Sequence, residues 1–174
     1  MWLAVFGVSG DEGPGPDEIE RVVPTFAASS GGWAEQRQIL GVLRVATRAD
    51  RDPQVRDATR DYRELGVRAG RLLGFASSGE AYVLLATRSY KQVTLRAGRN
   101  SVRSRPNGLC LVRRGAEGGG GACFSTRDLW AGRLQGALAG EIYGVVPDGV
   151  THVRSVWGGD PVRVRRNFYA YRHT

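Results

Sequence analysis

Two hydrophobic periods divide this chain. Between Val55 and Leu73 the apolar residues Val55, Ala58, Tyr62, Leu65, Ala69, Leu72 and Leu73 recur at helical steps. Such steps bring them onto one stripe of a helix. Asp52-Pro53 marks its start, because Asp accepts bonds from unpaired N–H groups and Pro suits the first helical position. Gly66 and Gly70 each cost about 1 kcal/mol against Ala inside a helix, so a break is expected near Gly66. Arg56, Arg60 and Arg63 alternate with Asp57, Asp61 and Glu64 off the stripe and read as a solvated face. A shorter stretch, Trp33 to Val45, puts Trp33, Gln36, Leu40 and Leu43 near one helical face, interrupted by Gly41.

From residue 80 the period shortens to that of strands. Glu80–Thr87, Gln92–Ala97, Leu109–Arg113 and Ala122–Phe124 are short, apolar or β-branched, and separated by glycine-bearing turns. Ser125 or Thr126 caps one helical turn through Trp130. Gly140 to Tyr171 then reads as three strands, stopped by Pro147-Asp148-Gly149 and by Gly158-Gly159-Asp160-Pro161. Gly149 is expected at positive φ, with Asp148 bonded to its own turn. Val153 is expected to share an apolar layer with Phe168 or Val164.

These elements predict an α+β domain over residues 33–174. One or two N-terminal helices pack on an antiparallel sheet of about six to eight strands, with the C-terminal meander as its core. Residues 1–32, acidic and rich in Gly and Pro between 9 and 18, read as a flexible or partly ordered segment. Met1 to Val8 is apolar but lacks preceding basic residues. It fits the tail of an export or anchor segment, or a first strand. No stretch is long enough to cross a membrane as a helix.

Charge changes the picture less than its size suggests. The 174 residues carry a net charge of +8. Residues 1–74 hold 10 basic and 11 acidic residues, and residues 75–174 hold 15 and 6. The basic character therefore sits in the β half, where it would attract an acidic polymer, an envelope component or nucleic acid. Lys91 is the sole lysine among 25 basic residues, so genome composition also shapes this surface. The densest basic segment, Arg96 to Arg105, has no aromatic residue to stack on bases.

Cys110 and Cys123 flank a glycine-rich segment, and a hairpin there brings them within bridging distance, about 4.4–6.8 Å between Cα atoms. A bridge would add about 3 kcal/mol and imply an oxidising compartment. Free thiols on neighbouring strands are the alternative. Two cysteines and the distant His152 and His173 lack zinc-ligand spacing, so no metal site is expected, and no cofactor either. Gly118 to Gly121 lacks the Lys-Ser/Thr of a phosphate loop and reads as a hairpin tip. His152 with Asp148 is the single arrangement that suggests catalysis, and no nucleophile motif accompanies it. On the last strand, Arg163, Arg165, Asn167, Tyr169 and Tyr171 fall on one face, opposite Val162, Val164, Arg166, Phe168 and Ala170. That face is the candidate binding surface.

Several tracts carry a family resemblance: Leu40-Gly41-Val42-Leu43-Arg44, Ala49-Asp50-Arg51, Gly108-Leu109-Cys110-Leu111, Gly119 to Cys123, Tyr143 to Val150, and Val164 to Tyr169. In this order the chain resembles a group of uncharacterised exported or membrane-anchored proteins of high-GC actinobacteria over roughly residues 38–171. The resemblance implies an extracytoplasmic domain and brings no catalytic residues with it. The expected function is a non-catalytic exported domain, binding or structural at the cell envelope. A cytoplasmic location, an enzyme built around His152 and Asp148, and a basic nucleic-acid-binding module are the alternatives.

Overall fold

The computed structural model describes residues 2–5, 32–96, 99–116, 118–138, 140–155 and 160–172. The expected flexible segment before residue 32 and the turn at Gly158-Gly159 lie largely outside them. The chain is α+β, with helices packed on mainly antiparallel sheets. Three sheets, rather than one, share ten strands among the described residues.

The central sheet has the order β2-β3-β4-β5. β2 is Val67–Phe75, β3 Ala81–Arg96, β4 Arg99–Gly115 and β5 Gly118–Phe124. Its core is the base of the β3–β4 hairpin. Residues 81–87 of β3 and 108–113 of β4 are buried without interruption. Tyr82, Leu84, Ala86, Leu109 and Leu111 face one apolar cluster, and Val83, Leu85, Cys110 and Val112 face another. Burial on both faces explains why these strands read as continuous apolar runs.

The first helix is short. α1, Trp33–Ile39, passes into a 3-10 turn at Gly41–Leu43. α2, Pro53–Asp61, begins as the sequence suggested: Asp52 Oδ1 accepts from Gln54 N at 2.8 Å, and Pro53 follows. It lays Val55 and Ala58 on the second cluster. The helical period beyond it misled. A 3-10 turn at Arg63–Leu65 ends on Gly66 at φ +67°, and residues 67–75 run back as β2. Leu72 and Leu73 are both buried because adjacent strand residues point to opposite faces and both faces are covered there, Leu72 entering the second cluster and Leu73 the first.

The glycine-rich tract is also a strand. β5 pairs with β4 from Gly115↔Gly118 to Leu109↔Phe124. A Cβ on Gly119 would collide with the Arg113 carbonyl, and one on Gly121 would stand 2.5 Å from the Leu111 carbonyl oxygen. Two of the four glycines are therefore set by the close approach of β5 to β4. Cys110 and Cys123 sit opposite each other in this ladder and are joined by a disulfide. Their Cα atoms are 3.9 Å apart, nearer than the expected span.

α3, Thr126–Trp130, is capped by Ser125, whose Oγ accepts from Asp128 N at 3.1 Å. The second sheet, β10-β7-β6, then closes over the first cluster with Tyr143, Val145 and Phe168. β6 is Gln135–Leu138, β7 Glu141–Val145 and β10 Phe168–Arg172. The expected meander is split. β7 pairs with β10, while β8 (His152–Ser155) and β9 (Val162–Arg163) leave for a third sheet, where β8 also pairs in parallel with β1 (Trp2–Val5). Val146, Val150, Val153 and Tyr169 make a small separate cluster with Val164 against it. Val153 thus shares its layer with Val164, whereas Phe168 belongs to the main core. The fold's centre is β3–β4, not the C-terminal strands.

Candidate functional site: a cleft between two strand edges

β5 is the outer strand of the central sheet and β6 the outer strand of the second. Between them opens a cleft of about 590 Å³. Its walls are Gly118 to Ala122 on β5 and Gln135 to Ala137 on β6, all small but Gln135, with Phe124, Leu111 and Tyr143 also lining it. A Cβ on Gly120 would meet nothing within 4 Å, so this missing side chain leaves the cleft open.

The polar floor is built around Arg113, the last residue of the buried run on β4. Its side chain is 7% exposed. Nε and Nη2 donate to Glu80 Oε2 at 2.9 and 2.6 Å, and Nη2 also reaches Ser78 Oγ at 3.1 Å. Nη1 lies 3.6 Å from Glu141 Oε2 and donates to the Leu138 carbonyl at 3.4 Å. The Tyr82 hydroxyl donates to the same Glu141 oxygen, and the guanidinium sits 5.7 Å from the Tyr82 ring centre.

A cation this deep survives because both carboxylates are committed to it. Burial would lower the Arg113 pKa, but Glu80 and the neighbouring charges raise it overall. Bonds from Ser78 and Arg113 hold the Glu80 carboxyl below its usual range. Burial, then the bond to Glu141, pushes Tyr82 far above the ordinary phenol. Burial also raises Tyr143. At neutral pH the two tyrosines keep their protons, and Glu80 keeps its charge. The floor therefore suits binding through fixed hydrogen bonds and aromatic surface, not proton transfer.

A second polar knot joins the turn after α1, the Val146–Asp148 segment and Asn167. Asn167 Oδ1 accepts from Val42 N at 3.1 Å, and its Nδ2 donates to Val146 O at 3.1 Å and Asp148 Oδ1 at 2.8 Å. Asp148 Oδ1 accepts from Gly41 N at 2.8 Å, and Oδ2 meets Arg44 Nη2 at 2.6 Å. Burial opposes ionisation of Asp148, but Asn167, the Gly41 N–H and Arg44 outweigh it and hold its pKa below the ordinary value. The aspartate therefore fastens the 3-10 turn after α1 to the C-terminal strands, and does not bond to its own turn as expected. Gly149 follows at φ +86°. His152 is half-buried, with Nδ1 3.1 Å from Thr151 Oγ1, while the Asp148 carboxylate is engaged elsewhere.

The five residues expected to form one binding face do not form one. The chain turns at Arg166 and Asn167, with φ of +52° and +66°, which ends the alternation. Arg163 and Arg165 are exposed, Asn167 and Tyr169 are buried, and Tyr171 is half-buried with its ring 6.4 Å from that of Tyr169. The Tyr169 hydroxyl is spent on Gln135 Oε1 at 3.3 Å. Sequence reasoning missed the cleft floor instead. Its one visible signal was an arginine, Arg113, closing an otherwise apolar run. Among the described residues no cluster of His, Cys, Asp and Glu is placed to hold a metal.

No protein-family model, curated protein or solved structure matches this chain.

Proposed function

We propose that this protein is a non-catalytic, extracytoplasmic binding domain of the cell envelope, with the β5–β6 cleft as its ligand site. The observation that carries the reading is the Cys110–Cys123 disulfide. It takes both cysteines of the chain, and such bonds persist where the surroundings are oxidising. The use of charge in the cleft supports binding over catalysis, since Arg113, Glu80 and Glu141 answer one another. Among the described residues no helix is long and apolar enough to cross a membrane.

Cells of the native host, quenched in acid and treated under denaturing conditions with a thiol-reactive polymer, test the compartment. The proposal expects no shift in mobility without prior reduction. Two modified thiols per chain would contradict it. Gly120→Leu tests the site, because a Cβ at this position has open space around it and the added side chain occupies the cleft. It is expected to keep the melting temperature and to lose whatever the envelope fraction retains on the immobilised wild type.

A further inference from the structure

Beyond Tyr90, which is buried, the described side chains of the distal half of the β3–β4 hairpin, residues 91–93 and 101–106, are all exposed. Residues 88–96 and 99–106 continue the two central strands as a paired ribbon, from Ser89↔Pro106 to Arg96↔Arg99. Arg88, Lys91, Gln92 and Val93 are exposed on one strand, and so is every residue from 101 to 106 on the other. A two-stranded ribbon without a packed face is marginal in water. Two features point to what covers it.

The first is charge. Residues 88–106 contain six basic residues, Arg88, Lys91, Arg96, Arg99, Arg103 and Arg105, and no acidic one. Lys91 is partly answered by Glu64 at 3.3 Å, both side chains being more than half exposed. Arg105 Nε donates to the neutral Gln92 at 3.0 Å, which fixes its direction without cancelling its charge. The second is an apolar pair. Val93 and Val102 are direct cross-strand partners, and each is 60% exposed. The register sets them on the face shared with Lys91, while Arg103 and Arg105 pair with Gln92 and Tyr90 on the other.

We propose that this arm docks on an anionic lipid bilayer. The valine pair enters the boundary between headgroups and acyl chains, and the arginines, with long apolar stems, reach the headgroup phosphates around the ribbon's edges. Charge alone would suit any polyanion. The paired valines distinguish a bilayer, because a nucleic-acid backbone offers nothing apolar to meet them. This inference does not depend on the cleft.

The test is co-sedimentation of the whole chain with vesicles of phosphatidylcholine alone or with about 30 mol% phosphatidylglycerol, beside anisotropy on a short DNA duplex at equal phosphate concentration. Binding is expected with the anionic vesicles and not with the neutral ones. Arg103→Gln with Arg105→Gln should weaken it about fivefold per residue removed. Val93→Ser with Val102→Ser should weaken vesicle binding roughly tenfold and leave any binding to DNA unchanged. A thermal melt of each variant confirms that the fold is kept. Absence of vesicle binding would overturn the proposal, as would equal binding to neutral vesicles. So would unchanged vesicle binding by the double valine variant. Tighter binding to DNA than to anionic vesicles would replace the bilayer with nucleic acid.

Discussion

The two halves of the β3–β4 hairpin share one backbone ladder and opposite environments. At the base, seven consecutive residues of β3 are buried between two apolar clusters. Beyond Tyr90, the same strand carries Lys91, Gln92 and Val93 into solvent. Strand pairing is therefore not what stabilises the base, since the arm has it too. Side-chain burial is, at roughly 25 cal/mol per Å² of apolar surface. The base holds the fold together, and the described side chains of the arm beyond Tyr90 add nothing buried to it.

The sharpest way to break this contrast is inside the base. Leu84→Ala removes a fully buried side chain from the main cluster and should cost about 3 kcal/mol in urea unfolding. A loss below about 1 kcal/mol would mean that the base is not the core.

Next in size is the knot that ties the C-terminal strands to the turn after α1. Asn167→Ala strips partners from Val42 N, Val146 O and Asp148, and should cost about 2 kcal/mol. The same knot gives a pH signature. Asp148 has a folded pKa below its ordinary value of 3.8. Its contribution is complete above the unfolded-state pKa and is lost as pH falls through the folded one. The stability gap between wild type and Asp148→Asn should therefore be constant near neutrality and close as the pH drops below about 4. A gap that is the same at every pH would remove Asp148 from the knot.

A smaller effect is expected at Gly149, where φ is +86° and a Cβ would meet nothing within 4 Å. Gly149→Val should cost more than about 1 kcal/mol through backbone strain alone. His152→Ala should stay within about 0.5 kcal/mol and leave vesicle binding intact. Thermal melts of the pair check both values.

The contrast along the hairpin also marks how far the sequence could be read. Leu109 to Val112 and Ala81 to Ala86 announced themselves as strands because burial on both faces makes them continuously apolar. In the arm Gln92–Ala97 read as a strand, but its partner did not, since Arg99 to Pro106 carries no hydrophobic period. Residues 67–73 read as helix because Ala69, Leu72 and Leu73 fit a helical step. A strand covered on both faces satisfies the same burial. Gln36 looked like part of an apolar face, yet it is a buried amide whose Nε2 donates to the Asn107 carbonyl at 3.1 Å. Gly119 and Gly121 read as a loose tip because close approach to a neighbouring carbonyl leaves no trace in local sequence. The cleft needed Arg113, Glu80 and Glu141 in one place, through contacts of Arg113 with both carboxylates that no local pattern encodes.

The division of labour between base and arm has one direct test. Residues 92–103 are replaced by an Asn-Gly turn, which joins Lys91 to Ser104, already cross-strand partners, through a two-residue hairpin. The shortened protein is melted and then mixed with anionic vesicles. The account predicts a melting temperature within a few degrees of wild type, with about 1 kcal/mol or less lost, and no sedimentation with the vesicles. A shortened protein that unfolds, or one that still binds the bilayer, would contradict it.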